Sequence, residues 1–157
     1  GLMAGSFTIM NLVARPAGGL ISDRIGRRKV LMVCLAIQTA GYALLSQVNA
    51  GWGVALAVAV TLGTSVFVQA ACGAVYSVVP LIQRRMTGQI AGMAGAYGNV
   101  GGVLLLTVLS FVSPMTFFFV IAGLSALAFI AAHFLDEPRG HIVEVDEDGN
   151  VQMIAVS

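Results

Sequence analysis

A single arginine, Arg15, stands in an otherwise uncharged apolar stretch, and the next charged residue, Asp23, comes eight positions later. On a helix that separation is about 12 Å, too deep for the side chain to reach a membrane surface easily. A cation at that depth costs about 2.5 to 3.5 kcal/mol on insertion scales, so it usually faces a partner, a cavity or an anionic ligand. The guanidinium is a rigid fork of donors that can bind two coplanar oxygens at once, which a lysine ammonium cannot match. Thr8 and Asn11 precede Arg15 by seven and four positions, and Gly18, Gly19 and Ser22 follow it. Small and polar residues on one helical face suit a narrow polar passage. Pro16 interrupts the hydrogen-bond ladder and points to a kink, serving either the site or packing alone. The competing reading of Arg15 is an ion pair with a carboxylate elsewhere, yet the apolar stretches themselves contain no Asp or Glu.

A second pattern is Gly88, Gly92, Gly95, Asn99 and Gly102, spaced by four, three, four and three. At 3.6 residues per turn these form one stripe on which a neighbouring backbone or a small ligand can come close. Packing of small residues explains the glycines alone. The Asn99 amide on the same stripe must be satisfied by a helix or by something passing through.

The third pattern is Gly19-Leu20-Ile21-Ser22-Asp23-Arg24-Ile25-Gly26-Arg27-Arg28-Lys29. Asp23 sits at the C-terminal end of the first helix, where the helix dipole disfavours an anion, so it needs a cationic partner or the N-terminus of another helix. Arg27 is the nearby candidate, and Gly26 permits the tight turn. The cluster is either a latch or an ordinary basic loop that obeys orientation rules.

These residues need membrane helices to position them. The chain is 58% hydrophobic and only 10% charged, with a mean hydropathy of +0.93, whereas a soluble domain carries about 25% charged residues. No Lys, Arg, Asp or Glu occurs between Val30 and Gln83 or between Met86 and Leu135. Each gap holds about two spans of roughly 20 residues. Five spans are expected: the chain start to Ile21, Val30 to Gln47, Trp52 to Val79, Gly88 to Phe111, and Met115 to Leu135. Asn49 to Gly51 and Ser113-Pro114 read as turns, with Trp52 as an interfacial anchor. Those turns carry no Lys or Arg, while the opposite ends carry Arg24, Arg27, Arg28, Lys29, Arg84, Arg85 and Arg139. The basic side, and with it the C-terminus, is expected in the cytoplasm. The chain opens inside an apolar span with neither a basic leader nor a cleavage site, so a larger transporter with its N-terminal portion missing is expected.

Residues 1–135 thus read as a helical half-bundle and 136–157 as a cytoplasmic tail. In the tail, Ile142 to Val145 and Val151 to Ala155 are expected to pair as a hairpin around Asp148-Gly149. Its acidic run lacks calcium-loop spacing. Cys34 and Cys72 read as small packing residues. Thr61, Ser65, Gln69, Cys72 and Tyr76 share one face of the third span and either line a route or bond neighbouring helices. Phe67 and Tyr97 read as packing residues, and His133 as an interfacial residue rather than a proton relay. Nothing supplies paired carboxylates, a metal cluster or a nucleophile with its base, so neither an enzyme, a metal site nor a cofactor is expected. No nucleic-acid partner is expected either. A membrane scaffold remains as the alternative of another class.

The pattern Gly-x-x-x-Asp-Arg-x-Gly-Arg-Arg resembles the signature loop of the major facilitator superfamily. Gly92 to Gly102 resembles the nitrate signature of its nitrate/nitrite porter family, and Ala14 to Gly19 resembles that family's eighth helix. Val79-Pro80-Leu81-Ile82 and Glu137-Pro138-Arg139-Gly140 also fit, so the resemblance runs from Gly1 to about Gly140. It implies an all-α membrane protein whose five helices are the eighth to twelfth of a twelve-helix fold. It further implies alternating-access transport of nitrate, and of nitrite, across a bacterial plasma membrane. Substrate binding would involve Arg15, Asn11, Gly95, Gly98, Asn99 and Gly102. Gly19, Asp23, Arg24, Gly26, Arg27 and Arg28 would form the gating loop that holds the two halves together. A transporter of another small or organic anion would keep Arg15 and the loop without the glycine-Asn stripe.

Overall fold

A computed structural model describes residues 2–49, 51–82, 86–135, 140–145 and 151–156. Five helices run in sequence: α1 (Leu2–Ile25), α2 (Arg27–Leu45), α3 (Val54–Ile82), α4 (Thr87–Leu109) and α5 (Pro114–His133). Strands β1 (Gly140–Val145) and β2 (Val151–Val156) follow. Among the described residues four helices, α2 to α5, are long and apolar enough to cross a membrane. The 24 residues of α1 have the length for a fifth span. Asn11, Arg15, Pro16 and three glycines dilute its apolar character.

Local chemistry explains the element ends. Helix α1 passes the expected stop at Ile21 because its polar end is tied down: the Ser22 hydroxyl bonds both Gly19 O and Ser77 Oγ at 2.7 Å. It stops at Gly26, whose φ of 113° is the one positive value among the described residues. That backbone conformation is strained for any residue with a Cβ. After α2, the Asn49 side chain accepts from the Gly51 amide at 3.0 Å, an Asx turn that delays α3 to Val54. Helix α3 continues through Pro80 to Ile82 instead of ending at Val79. Ser113 caps α5 by accepting from the Thr116 amide, with Pro114 in the first turn where its missing N–H costs nothing.

Helix α3 packs along both α1 and α2, and α2 also packs along α5. Their shared core contains Leu31, Cys34 and Leu35 of α2, Ala71 and Ala74 of α3, and Ala132 of α5, flanked by Phe67 and Phe129. Cys34 and Phe67 therefore have the packing role expected of them. Large apolar side chains such as Leu12, Leu104 and Leu127 are exposed on the outside. A hydrocarbon surround selects such a surface, because lipid gives apolar side chains no reason to turn inward. Helix α4 touches α3 and α5 only lightly and buries none of its residues.

In the tail β1 and β2 pair antiparallel, from Gly140 opposite Val156 to Val145 opposite Val151. The expected strands are present, with β1 starting two residues earlier and β2 ending one residue later. The expected turn at Asp148-Gly149 and the acidic residues 146–148 lie outside the described residues, as do Arg84, Arg85 and Arg139.

Candidate functional site

Arg15 lies where α1 crosses α3. Ala14, Gly18 and Ser22 of α1 are buried, four residues apart, and Ser22 is fully enclosed. A Cβ at Gly18 would overlap the Ala70 backbone. A Cβ at Gly73 would overlap the Arg15 carbonyl oxygen and lie 2.9 Å from the Gly19 nitrogen. Two backbones thus meet with almost nothing between them. The polar passage expected along this face is corrected for Gly18 and Ser22, because α3 occupies that space. Gly19, also expected in the loop, faces Gly73 at ordinary contact distance.

The Arg15 side chain leaves this crossing and is exposed at the surface of the five-helix unit. It shares an open depression of about 430 Å³ with Ile9, Asn11, Leu12 and Pro16, all from α1. Asn11, half-buried, is thereby brought beside Arg15 as its spacing suggested. The side chain of Thr8 lies outside the described residues. Among the described residues Arg15 has no acidic partner, and the ion pair present joins Arg27 to Asp23.

The glycine stripe of α4 behaves differently from the small-residue row on α1. Among the described residues, Gly88, Gly92, Gly98 and Gly102 have nothing within 4 Å of a Cβ position, and Asn99 is exposed. Gly95 alone on the stripe meets a neighbour, the Tyr76 hydroxyl, 3.3 Å from where a Cβ would sit. Helices α1 and α4 share no contact among the described residues. Arg15 with Asn11 and Gly98, Asn99 and Gly102 are therefore two separate open surfaces, not one pocket.

The loop between α1 and α2 is well formed. Arg27 Nη2 lies 2.8 Å from Asp23 Oδ1, the partnership expected from the helix dipole. Arg27 is largely buried and its Nε has no partner among the described residues. Arg28 donates to the His133 carbonyl at the end of α5, where a cation also suits the helix dipole. Arg24 and Lys29 are exposed.

On α3, Thr61 and Ser65 donate to carbonyls of their own helix, Ala57 O and Leu62 O, so neither hydroxyl is held out toward a route. The buried Oε1 of Gln69 has no partner among the described residues. Tyr97 is exposed at 74%, so the packing expected of it is not made among the described residues. Two features escaped sequence reasoning. One is the polar seam between α2 and α5, in which Gln38 Nε2 and Thr39 Oγ1 reach Ser125 Oγ at 2.9 and 2.8 Å. The other is Gly73, whose only signal is the small-residue run Ala70-Ala71-Cys72-Gly73-Ala74.

The model of the Major Facilitator Superfamily matches residues 1–154. The chain belongs to this superfamily. Among the curated relatives of this major-facilitator chain is the "Nitrate/nitrite transporter NrtP" of Picosynechococcus, 44% identical over 99% of this chain and 32% of that protein. The protein of the same name from Nostoc punctiforme is 46% identical over 89% of this chain and 28% of its own length. The "High affinity nitrate transporter 2.5" of Arabidopsis thaliana is 44% identical over 66% of this chain and 22% of its own length. The chain spans about a third of the length of these two NrtP relatives. No solved structure matches it significantly. Membership of this superfamily and several apolar helices make it part of a multi-pass membrane protein.

Proposed function

We propose that this chain is the distal part of a secondary transporter, not an enzyme or an inert scaffold, that carries nitrate and nitrite across a bacterial plasma membrane. The observation that carries the reading is Arg15. It is a permanently charged planar donor in the middle of α1, without an acidic partner among the described residues and exposed beside Asn11. An uncompensated cation at that depth is stable when something anionic visits it. The names of the relatives supply the class of that anion.

In this reading the open depression at Arg15 and the open stripe of α4 are each closed by helices of the remaining protein, which carries seven further spans. Arg15 and Asn11 hold the oxyanion near the midplane, and Gly95, Gly98, Asn99 and Gly102 let the signature helix come close to it. Rocking of two halves then alternates access. Gly19, Asp23, Arg24, Gly26, Arg27 and Arg28 form the cytoplasmic loop that holds the halves in one state. Residues 136–157 form a cytoplasmic tail, and the basic side faces the cytoplasm.

The test is Arg15→Lys in the full-length transporter. A lysine keeps the charge and loses the fork, so nitrate uptake should fall by about tenfold or more while membrane insertion stays normal. Uptake at normal rate and affinity would refute the assignment.

A further inference from the structure

We propose that Gly73 of α3 is a positioning residue for the Arg15 guanidinium, an inference that rests on the anion-binding reading of Arg15. The geometry is specific to this pair. A Cβ at Gly73 would overlap the Arg15 carbonyl oxygen and lie 3.0 Å from the Arg15 carbonyl carbon and 2.9 Å from the Gly19 nitrogen. All three are backbone atoms, so no rotamer change relieves the overlap; α1 itself must move away from α3. Pro16 follows Arg15 directly and leaves the Leu12 carbonyl without its usual donor, so the α1 ladder is weakest at the point that would have to yield.

The remainder of the crossing resists such a shift. Gly18 lies against the Ala70 backbone, and Ser22 and Ser77 share a hydrogen bond of 2.7 Å. Ala70, Gly73 and Ser77 lie along one face of α3, and Arg15, Gly18 and Ser22 answer them from α1. This row holds the Arg15 backbone, and so fixes where its side chain starts. Two parallel bonds from one guanidinium to a flat oxyanion tolerate little error, because a displacement of about 1 Å takes a hydrogen bond out of range. Gly73 therefore contributes to affinity without touching the ligand. Three residues further on, the Tyr76 hydroxyl meets Gly95, so one turn of α3 bears on both candidate surfaces.

The experiment compares nitrate uptake by the full-length transporter carrying Gly73→Ala with that carrying Gly63→Ala. Gly63 lies on the same helix with nothing within 4 Å of its Cβ position among the described residues. Gly73→Ala should raise KM for nitrate by about tenfold while Vmax per inserted molecule stays within about twofold, and Gly63→Ala should change neither. An unchanged KM, or a fall in Vmax alone, overturns the proposal. Ser77→Ala gives the answer if Gly73→Ala protein does not accumulate, since it cuts the Ser22 bond without adding bulk. A KM raised several-fold supports the positioning role and an unchanged KM removes it. Arg15→Lys measured alongside separates the two ideas. Normal uptake there defeats the anion reading itself, whereas impaired Arg15→Lys with normal Gly73→Ala and Ser77→Ala defeats only the positioning role.

Discussion

Arg27 reaches back one helical turn, across the break at Gly26, to place Nη2 2.8 Å from the Asp23 carboxylate. The pair ties the end of α1 to the start of α2, and Asp23 remains half exposed. An ion pair of this exposure contributes little to stability, about 0.3 to 0.5 kcal/mol for helical spacing. Asp23→Asn should therefore leave the amount of inserted protein nearly unchanged. If the loop is a latch, nitrate uptake should nonetheless fall several-fold, because the exposed carboxylate loses its hold on the rest of the protein. Uptake at the wild-type rate would reduce the loop to an orientation signal.

Gly26 is the residue between those two partners, at φ 113° and ψ 127°. Substitution by Ala forces a Cβ into a backbone region that side chains rarely adopt, at a cost of about 1 to 3 kcal/mol. Gly26→Ala should lower the thermal midpoint of the purified transporter by several degrees, while Gly63→Ala should not. Equal midpoints would mean that the turn relaxes without loss.

Asn99 and Thr61 offer a comparison between two exposed polar residues on different helices. Thr61 already donates to Ala57 O of its own helix at 2.8 Å, whereas Asn99 stands on the open stripe of α4. Asn99→Ala should impair nitrate transport by about tenfold, roughly the effect of losing one or two hydrogen bonds, and Thr61→Ala should be nearly silent. Equal tolerance at the two positions would assign the stripe to packing against helices of the remaining protein.

The helices were legible because apolar stretches of span length have one stable form in lipid, in which every backbone polar group is satisfied within its own segment. The loop was legible for a local reason as well. Asp23, Gly26 and Arg27 lie within one turn of each other, and both the dipole argument and the glycine requirement act over that distance. The tail hairpin was readable from two short apolar runs flanking a turn signal, and its pairing followed.

What the order of residues left open was which small residues are filled and which are vacant. Small residues mark a face of both α1 and α4, yet Gly18 on α1 is closed by α3 while most of the glycine stripe on α4 meets open space among the described residues. Periodicity gives the face of a helix but not its neighbour, since a missing side chain is equally an invitation to a backbone or to a ligand. Only the crossing of α1 with α3 decided that the Arg15 backbone is pinned while its guanidinium is left outside. Only the packing of α2 on α5 produced the seam at Ser125. Sequence alone determined an apolar helical membrane chain with a lone arginine in its first helix and a basic loop directly after it. Tertiary contact determined which of its polar and small residues are spent on holding helices together, because that choice depends on residues dozens of positions apart meeting in space.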